Sequence, residues 1–272
     1  MDLITSPSNP HIKQVRALAQ RKQREATGLC VAEGIFHAGE ALASGDVAYL
    51  VYAPDQLASA FGLGLVDYAL AQNIPVYSVS NDVMSSIAGK DNPQGLLAVA
   101  RQRHTPLETL RADTHPWLVA LVAPQDPGNV GTILRTIDAV GASGLLLLGG
   151  GVDAYHPAAI RAGMGAVFHL PVVAASFTSF IEWARAGGRR IYGTSAHGSA
   201  GYRSTAYSTP LVLLMGSERE GLTAEQAAAC DELLRLPMHG RASSLNLAVA
   251  TGVFLYAIHD SLAQAGAEKE HA

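Results

Sequence analysis

Two short runs made wholly of apolar residues, Leu145–Leu148 and Leu211–Met215, constrain this chain more than any other feature. A strand exposed on one face alternates apolar and polar residues. One that is apolar throughout is covered on both faces, as in a parallel sheet between helical layers. Trp117–Val122 has the same character. Ligands of such sheets bind in loops outside the carboxyl ends of the strands, so the segments following these runs are where chemistry is expected.

The rest of the chain alternates in the same way. A helix is predicted over 7–25, where Ile12, Val15, Leu18 and Ala19 recur at helical spacing. Strand-like LCVAEG follows, then a helix over Ile35–Leu42, a strand at Ala48–Tyr52, a helix over Leu57–Gln72 and a strand at Val76–Val79. A helix near Asp82–Ala88 and a strand at Gly95–Ala100 complete a small α/β pattern. Residues 101–115 are polar and contain Pro106, a boundary signal. Beyond them, helices are predicted near Val130–Val140, Ala158–Met164 and Phe177–Ala186, with strands at Val167–Leu170 and Arg190–Thr194. The last helix, Ser244–Ala263, is apolar nearly all round in its first half, which suits burial against a partner subunit. The expected organisation is an α/β domain over 1–105, a linker over 106–116, a parallel-sheet domain over 117–265 and a frayed tail over 266–272.

Composition narrows the classes. With 49% hydrophobic and 15% charged residues in 272, the chain has material for packed cores, which argues against disorder. No apolar run approaches the ~20 residues that span a bilayer, and the start, MDLITSPSNPHIKQVR, lacks the apolar core of a signal peptide. Cys30 and Cys230 are too far apart to suggest a metal motif, and the ten histidines form no ligand spacing. A reduced, cytoplasmic protein with no metal is the expectation. A net charge of −4 is unlike an ordinary basic nucleic-acid binder. Locally, however, Lys13, Arg16, Arg21, Lys22 and Arg24 face only Asp2 within residues 1–24. Such a patch suits phosphates, although a solvated helix face would read the same.

Three loops carry candidate chemistry. Ala123–Gly131, APQDPGNVG, joins a buried strand to a helix, and Arg135 follows Asn129 by six residues. An ordinary strand-to-helix loop with a surface arginine would look similar. Leu213–Leu222, LLMGSEREGL, combines Gly216, which permits close backbone approach, with Glu218 at a strand end. Capping of the next helix by Ser217 and Glu218 is the plainer alternative. In Leu236–Leu247, LPMHGRASSLNL, one serine could be a cap, but Asn246 just inside an apolar helix needs a partner if buried. Gly149–Gly151 imitates a dinucleotide-binding turn but lacks G-x-G-x-x-G and a fitting acidic strand end.

In this order and spacing, DPGNVGTILRT, LLMGSEREGL and LPMHGRASSLNLAVA resemble the three motifs of the SpoU (TrmH-like, SPOUT) RNA 2'-O-ribose methyltransferases. The stretch SNPHIKQVRALAQRKQREATGLCVAEG is similar to the substrate-binding domain fused to many rRNA-modifying members, which resembles an RNA-binding ribosomal-protein fold. The resemblance implies an α/β protein whose C-terminal parallel-sheet domain holds a trefoil knot, preceded by a small α/β RNA-binding domain. It implies S-adenosyl-L-methionine (AdoMet) as cofactor, a homodimer formed through the C-terminal domain and sites near the subunit interface. Structured RNA is the implied substrate, 23S rRNA ahead of tRNA, with a non-catalytic RNA-binding protein of the same fold as the rival. Carried over by position, Asn129, Arg135, Glu218, Ser244 and Asn246 match the family's functional polar residues. Leu214, Gly216, Leu236, Met238, Ser244 and Leu245 match positions around the cofactor. Lys13, Arg16, Arg21, Lys22, Arg24, Arg135 and Arg161 are the candidate RNA contacts. The Arg219–Glu220 pair is more charged than in many relatives.

Overall fold

The computed structural model describes residues 2–89 and 93–270. In chain order the first elements are α1 (Pro10–Ala17), α2 (Arg21–Thr27), β1 (Leu29–Glu33), α3 (Ile35–Ala43), β2 (Val47–Tyr52), α4 (Ala60–Ala71), β3 (Val76–Ser78), α5 (Asn81–Ile87) and β4 (Leu96–Arg101). Then come β5 (Trp117–Val122), α6 (Pro127–Ala139), β6 (Leu145–Leu148), α7 (Pro157–Ala162), β7 (Val172–Ala175) and α8 (Phe177–Ala186). The chain closes with β8 (Arg190–Thr194), β9 (Ala200–Gly201), β10 (Leu211–Met215), α9 (Ala224–Ala228), β11 (Glu232–Arg235) and α10 (Leu247–Glu270). Two compact units result. One gathers the chain up to Arg103 with Asp153–His169; the other holds His104–Val152 and the chain from Leu170 onwards.

The first unit is built on a mixed sheet of order β1-β4-β2-β3, in which only β2 and β3 run parallel. Its core packs Ile12, Val15 and Leu18 against Tyr49, Val51, Leu97 and Val99. The single helix expected over 7–25 is two helices, and Arg24 secures the break between them. Asn9 caps α1, with Pro10 opening it. Arg24 Nη1 then donates to the carbonyls of Leu18 and Ala19, both at 2.9 Å, satisfying the groups left free where α1 ends. Its Nε reaches Asp153 Oδ2 at 2.6 Å, and the side chain is 1% exposed. Cys30 is a buried free thiol whose pKa is pushed up to about 12 by burial.

The second unit is a seven-stranded sheet, parallel throughout, in the order β7-β6-β5-β10-β8-β11-β9. Strands β5, β6 and β10 are buried along almost their whole length, as their composition demands. Strand β10 inserts between β5 and β8, and both pairings are parallel. Leu107 and Leu110, from the polar segment before β5, join the core of this unit with Phe180 and Ile191.

The structure corrects several boundaries. The strand expected at Val167–Leu170 is β7, at Val172–Ala175; Ala166–Phe168 is a 3-10 turn after Gly165, whose φ is +79°. Strands β9 and β11 and helix α9 are additions to the pattern that the sequence predicts. The last helix begins at Leu247 rather than Ser244 and continues to Glu270. Residues 271 and 272 of the expected frayed tail lie outside the described residues. No helix among the described residues is long and apolar enough to cross a membrane.

Candidate active site

All strands of the second unit point the same way, so the loops after β5, β8, β10 and β11 leave one edge of the sheet. Those after β8, β10 and β11 line a cleft of about 770 Å³, within the ~300–1,000 Å³ range of small-molecule sites. Its lining includes Gly216, Glu218, Leu236, Met238, Ser244, Leu245 and Asn246. Leu214 is not part of it: that side chain is fully buried in β10, and Met215 is the strand residue that reaches the cleft.

Backbone geometry at the β10 end explains the glycine. Ser217 and Gly221 exchange backbone hydrogen bonds of 3.1 and 3.0 Å, folding the loop back on itself. A Cβ on Gly216 would stand 2.2 Å from the Gly221 carbonyl carbon and 2.4 Å from the Leu222 nitrogen. Only glycine allows that return. Ser217 Oγ accepts from the Glu220 amide at 3.2 Å, which holds the turn. Helix α9 is capped by Thr223 and Gln226, not by Ser217 or Glu218.

The polar residues of the three loops form one string. Asp126 caps α6, accepting from the Gly128 amide at 2.6 Å, which sets Asn129 in the helix's first turn. Glu218 accepts from the Gln125 amide at 3.2 Å and, in a long contact of 3.4 Å, from Asn129 Nδ2. Asn129 Oδ1 accepts from Asn246 Nδ2 at 3.0 Å. Asn246 Oδ1 in turn accepts from the Ala248 and Val249 amides at 2.9 and 3.3 Å, so it caps α10 rather than lying inside it. Each amide group thereby has a fixed orientation.

Arg135 stands apart. It lies on α6, exposed, and is not among the residues lining the cleft. It makes no hydrogen bond or ion pair among the described residues. Its neighbour Thr136 lines a groove with Val249 and Tyr256 of α10, which are 54% and 53% exposed.

The basic residues of the first unit divide. Lys13, Arg16, Arg21, Lys22 and Arg161 are exposed, with Arg21 ion-paired to Glu25 one turn on. Arg24 is different, and the expectation that it meets RNA is corrected: its guanidinium is consumed by Asp153 and two backbone carbonyls inside the protein. The sequence reading also missed Thr194, Ser195 and His197, which line the cleft after β8. The signal was available, since that loop also follows a strand of the parallel sheet.

Known proteins match both parts of the chain. A model of the SpoU rRNA Methylase family matches residues 116–256, and one of the MRM3-like substrate binding domain matches 9–98. The 23S rRNA (guanosine(2553)-2'-O)-methyltransferase RlmP of Bacillus subtilis is 31% identical over 94% of this chain and 98% of its own. The AdoMet-bound rRNA methyltransferase of Sinorhizobium meliloti superimposes with a TM-score of 0.87 at 40% identity, covering 96% of this chain and 98% of that one. The SpoU methyltransferase AviRb of Streptomyces viridochromogenes, solved with AdoMet, gives 0.80 at 28% identity over 93% and 97%. On the family match, supported by the RlmP similarity along nearly the whole chain, this protein belongs to the SpoU rRNA methylase family.

Proposed function

We propose that this protein transfers a methyl group from AdoMet to a ribose 2'-hydroxyl of 23S rRNA. The observation that carries the reading is the joining of Glu218, Asn129 and Asn246 into one hydrogen-bonded string beside the cleft. A binding protein without catalysis has no need of that convergence. The rRNA substrate, ahead of tRNA, is supported by the substrate-binding match over 9–98 and by near full-length similarity to proteins named as rRNA methyltransferases. A cytoplasmic setting follows from that substrate.

The cleft fits AdoMet in size and in the chemistry of its lining. Met215, Leu236, Met238 and Leu245 offer apolar surface for an adenine, while Ser244 and the backbone beside Gly216 offer polar groups. AdoMet, when bound, supplies a methyl group activated by its sulfonium charge. The difficulty left to the protein is the 2'-hydroxyl, a weak nucleophile until its proton leaves. A guanidinium offers hydrogen-bond donors and no acceptor, so Arg135 is a poor literal base. It holds the phosphate beside the target ribose and stabilises the alkoxide that develops as the hydroxyl proton passes to solvent water. Asn129, Ser244 and Asn246 position ribose and cofactor, and Glu218 keeps the Asn129 amide turned the right way.

The reading includes a homodimer. Arg135 is outside its own cleft, and the adjoining α6–α10 groove carries Val249 and Tyr256 uncovered. A second copy seated there would cover the apolar face and bring Arg135 to a cleft. The trefoil knot belongs to the same proposal, supported by the insertion of β10 between β5 and β8 and by one cleft lined from both the 216–222 and 236–247 loops. Lys13, Arg16, Lys22 and Arg161 are the phosphate contacts of the substrate-binding unit.

The test is transfer of tritium from labelled AdoMet into total RNA of a strain lacking the protein, fractionated into rRNA and tRNA. Label in the large rRNA is expected. Label in tRNA alone would keep the chemistry and overturn the substrate; no label, with no AdoMet binding, would leave an RNA-binding protein.

A further inference from the structure

The first unit holds a cavity of its own, about 360 Å³, near the lower end of the ~300–1,000 Å³ typical of small-ligand sites. Its walls come from α1, β1, the end of α5 and α7, and it shares no residue with the AdoMet cleft. Val31 and Ile160 are among its apolar walls, and Arg16 and Arg161 bring two guanidinium groups to it.

Glu33, the last residue of β1, supplies the polar feature that needs an explanation. Its Oε2 accepts from the Gly89 amide at 2.9 Å. Its Oε1 is buried with no hydrogen-bond partner among the described residues. A buried carboxylate oxygen without a donor is costly, and native structures seldom leave one so. Neither arginine relieves it. Arg16 Nη2 donates to Ser86 Oγ at 3.1 Å, and no ion pair joins Glu33 to Arg16 or Arg161. The cavity thus offers an acceptor waiting for N–H groups, aliphatic walls and two cations, with His37 and His156 also in its lining.

That combination suits a nucleotide. An ionised carboxylate is acceptor-only, and carboxylates read amino groups on base edges. RNA bases are recognised in unstacked segments, against apolar or guanidinium surfaces, by hydrogen bonds to their Watson–Crick edges. Guanine alone among the common bases presents two adjacent donors there, an imino N–H and an amino group. Resting on the RNA substrate argued above, we propose that this cavity captures one unstacked guanine nucleotide of the RNA, with Glu33 accepting from the base edge and Arg16 and Arg161 holding the phosphate. It makes the substrate-binding unit a reader of sequence as well as of charge.

The probe is GMP against UMP, titrated by calorimetry into the full-length protein saturated with AdoMet so that the cleft of the second unit is filled. Saturable GMP binding is expected, with UMP about ten-fold weaker or worse. Glu33→Gln should cost about ten-fold for GMP, the effect of losing a hydrogen bond to a charged group, with an unchanged urea midpoint as proof that the first unit is folded. Arg161→Ala, at an exposed side chain, provides a second variant: it should weaken GMP but leave guanosine unaffected. Equal binding of GMP and UMP, no saturable GMP binding, or full GMP affinity in Glu33→Gln would each overturn the assignment. Tritium transfer into rRNA is measured on the same preparation. Label in rRNA without guanine discrimination overturns this proposal alone, whereas no label in rRNA overturns the substrate reading and this proposal with it.

Discussion

Asn246 donates its side-chain amide to Asn129 Oδ1 at 3.0 Å, across 117 residues of chain. The same Asn246 caps α10 through its oxygen, and the same Asn129 donates to Glu218. The first turn of α6, the start of α10 and the loop after β10 are therefore fixed relative to one another by two amides of set orientation. Reversing either amide would set oxygen against oxygen at one end of the string.

Two substitutions at Asn246 separate its structural duty from its chemical one. Asn246→Ala removes the cap and should lower stability in urea by about 1 kcal/mol. Asn246→Asp keeps the oxygen that accepts from Ala248 and Val249 and adds a charge favourable at a helix start. It loses the donor to Asn129, so stability should be close to wild type while methyl transfer falls by about ten-fold or more. Full activity in Asn246→Asp would remove the string from the mechanism.

Gly216→Ala tests the tight return of the loop after β10. The new methyl would meet backbone atoms at 2.2 and 2.4 Å, and backbone cannot swing aside as a side chain can. The 216–222 loop must open, so AdoMet affinity should fall by about ten-fold or more, a backbone clash being among the larger substitution effects. Calorimetric titration with AdoMet measures this. Unchanged affinity would mean that the loop does not shape the cofactor's seat.

What the sequence made legible was local. Leu145–Leu148 and Leu211–Met215 could only be covered strands, and they are β6 and β10 of the parallel sheet. Their loops followed from that. Less legible were features fixed by distant partners. Arg24 carries the charge pattern of a surface helix, yet it is buried by Asp153, 129 residues away. Val167–Phe168 is as apolar as Val172–Val173, and composition could not tell that Gly165 turns the first pair into a 3-10 segment. Strand β11 leaves little apolar signal, because only Leu234 of its four residues is buried. Asn246 looks in the sequence like a polar residue within a helix, because its capping geometry depends on where α10 begins.

Arg24 and its exposed neighbours should behave oppositely. Arg24→Ala leaves Asp153 and two carbonyls without a donor, and breaking a buried pair costs about 3–5 kcal/mol. Asp153 is 14% exposed, which puts the expected loss at the lower end. Lys13→Ala and Lys22→Ala should change stability by less than about 0.5 kcal/mol but reduce the salt dependence of rRNA binding. Urea unfolding and filter binding at two salt concentrations are the measurements. A stable Arg24→Ala would contradict the structural role given to it.

Arg135 lies outside the cleft of its own chain, so a dimeric enzyme should work across subunits. Arg135→Ala alone should abolish turnover with AdoMet affinity retained. Mixed with Asn246→Asp, it should recover about a quarter of wild-type turnover, because random pairing in an isologous dimer makes half the dimers mixed, each with one intact site. Absence of recovery, with mixed dimers demonstrated by mass spectrometry, would mean that the arginine serves its own chain.

His156 gives the protein a pH dependence whose sign can be worked out. Its Nδ1 accepts from the Ala158 amide at 3.1 Å, capping α7, so the cap needs the neutral ring. Burial, with Arg24 and Arg161 nearby, lowers its pKa below the usual histidine value, against a smaller opposing pull from Asp153. A depressed folded pKa means that the unfolded chain binds the proton more readily. The contribution is therefore fully present above the unfolded pKa of about 6.5 and is lost as the pH falls through the lower folded value. Asparagine keeps a capping oxygen and does not titrate. Between about pH 7.5 and about pH 5.5, the urea midpoint of the wild type should fall further than that of His156→Asn. His115, lowered by burial and then by Arg189, retains its share of the slope in both proteins. Equal shifts in the two midpoints would show that protonation of His156 leaves the α7 cap intact.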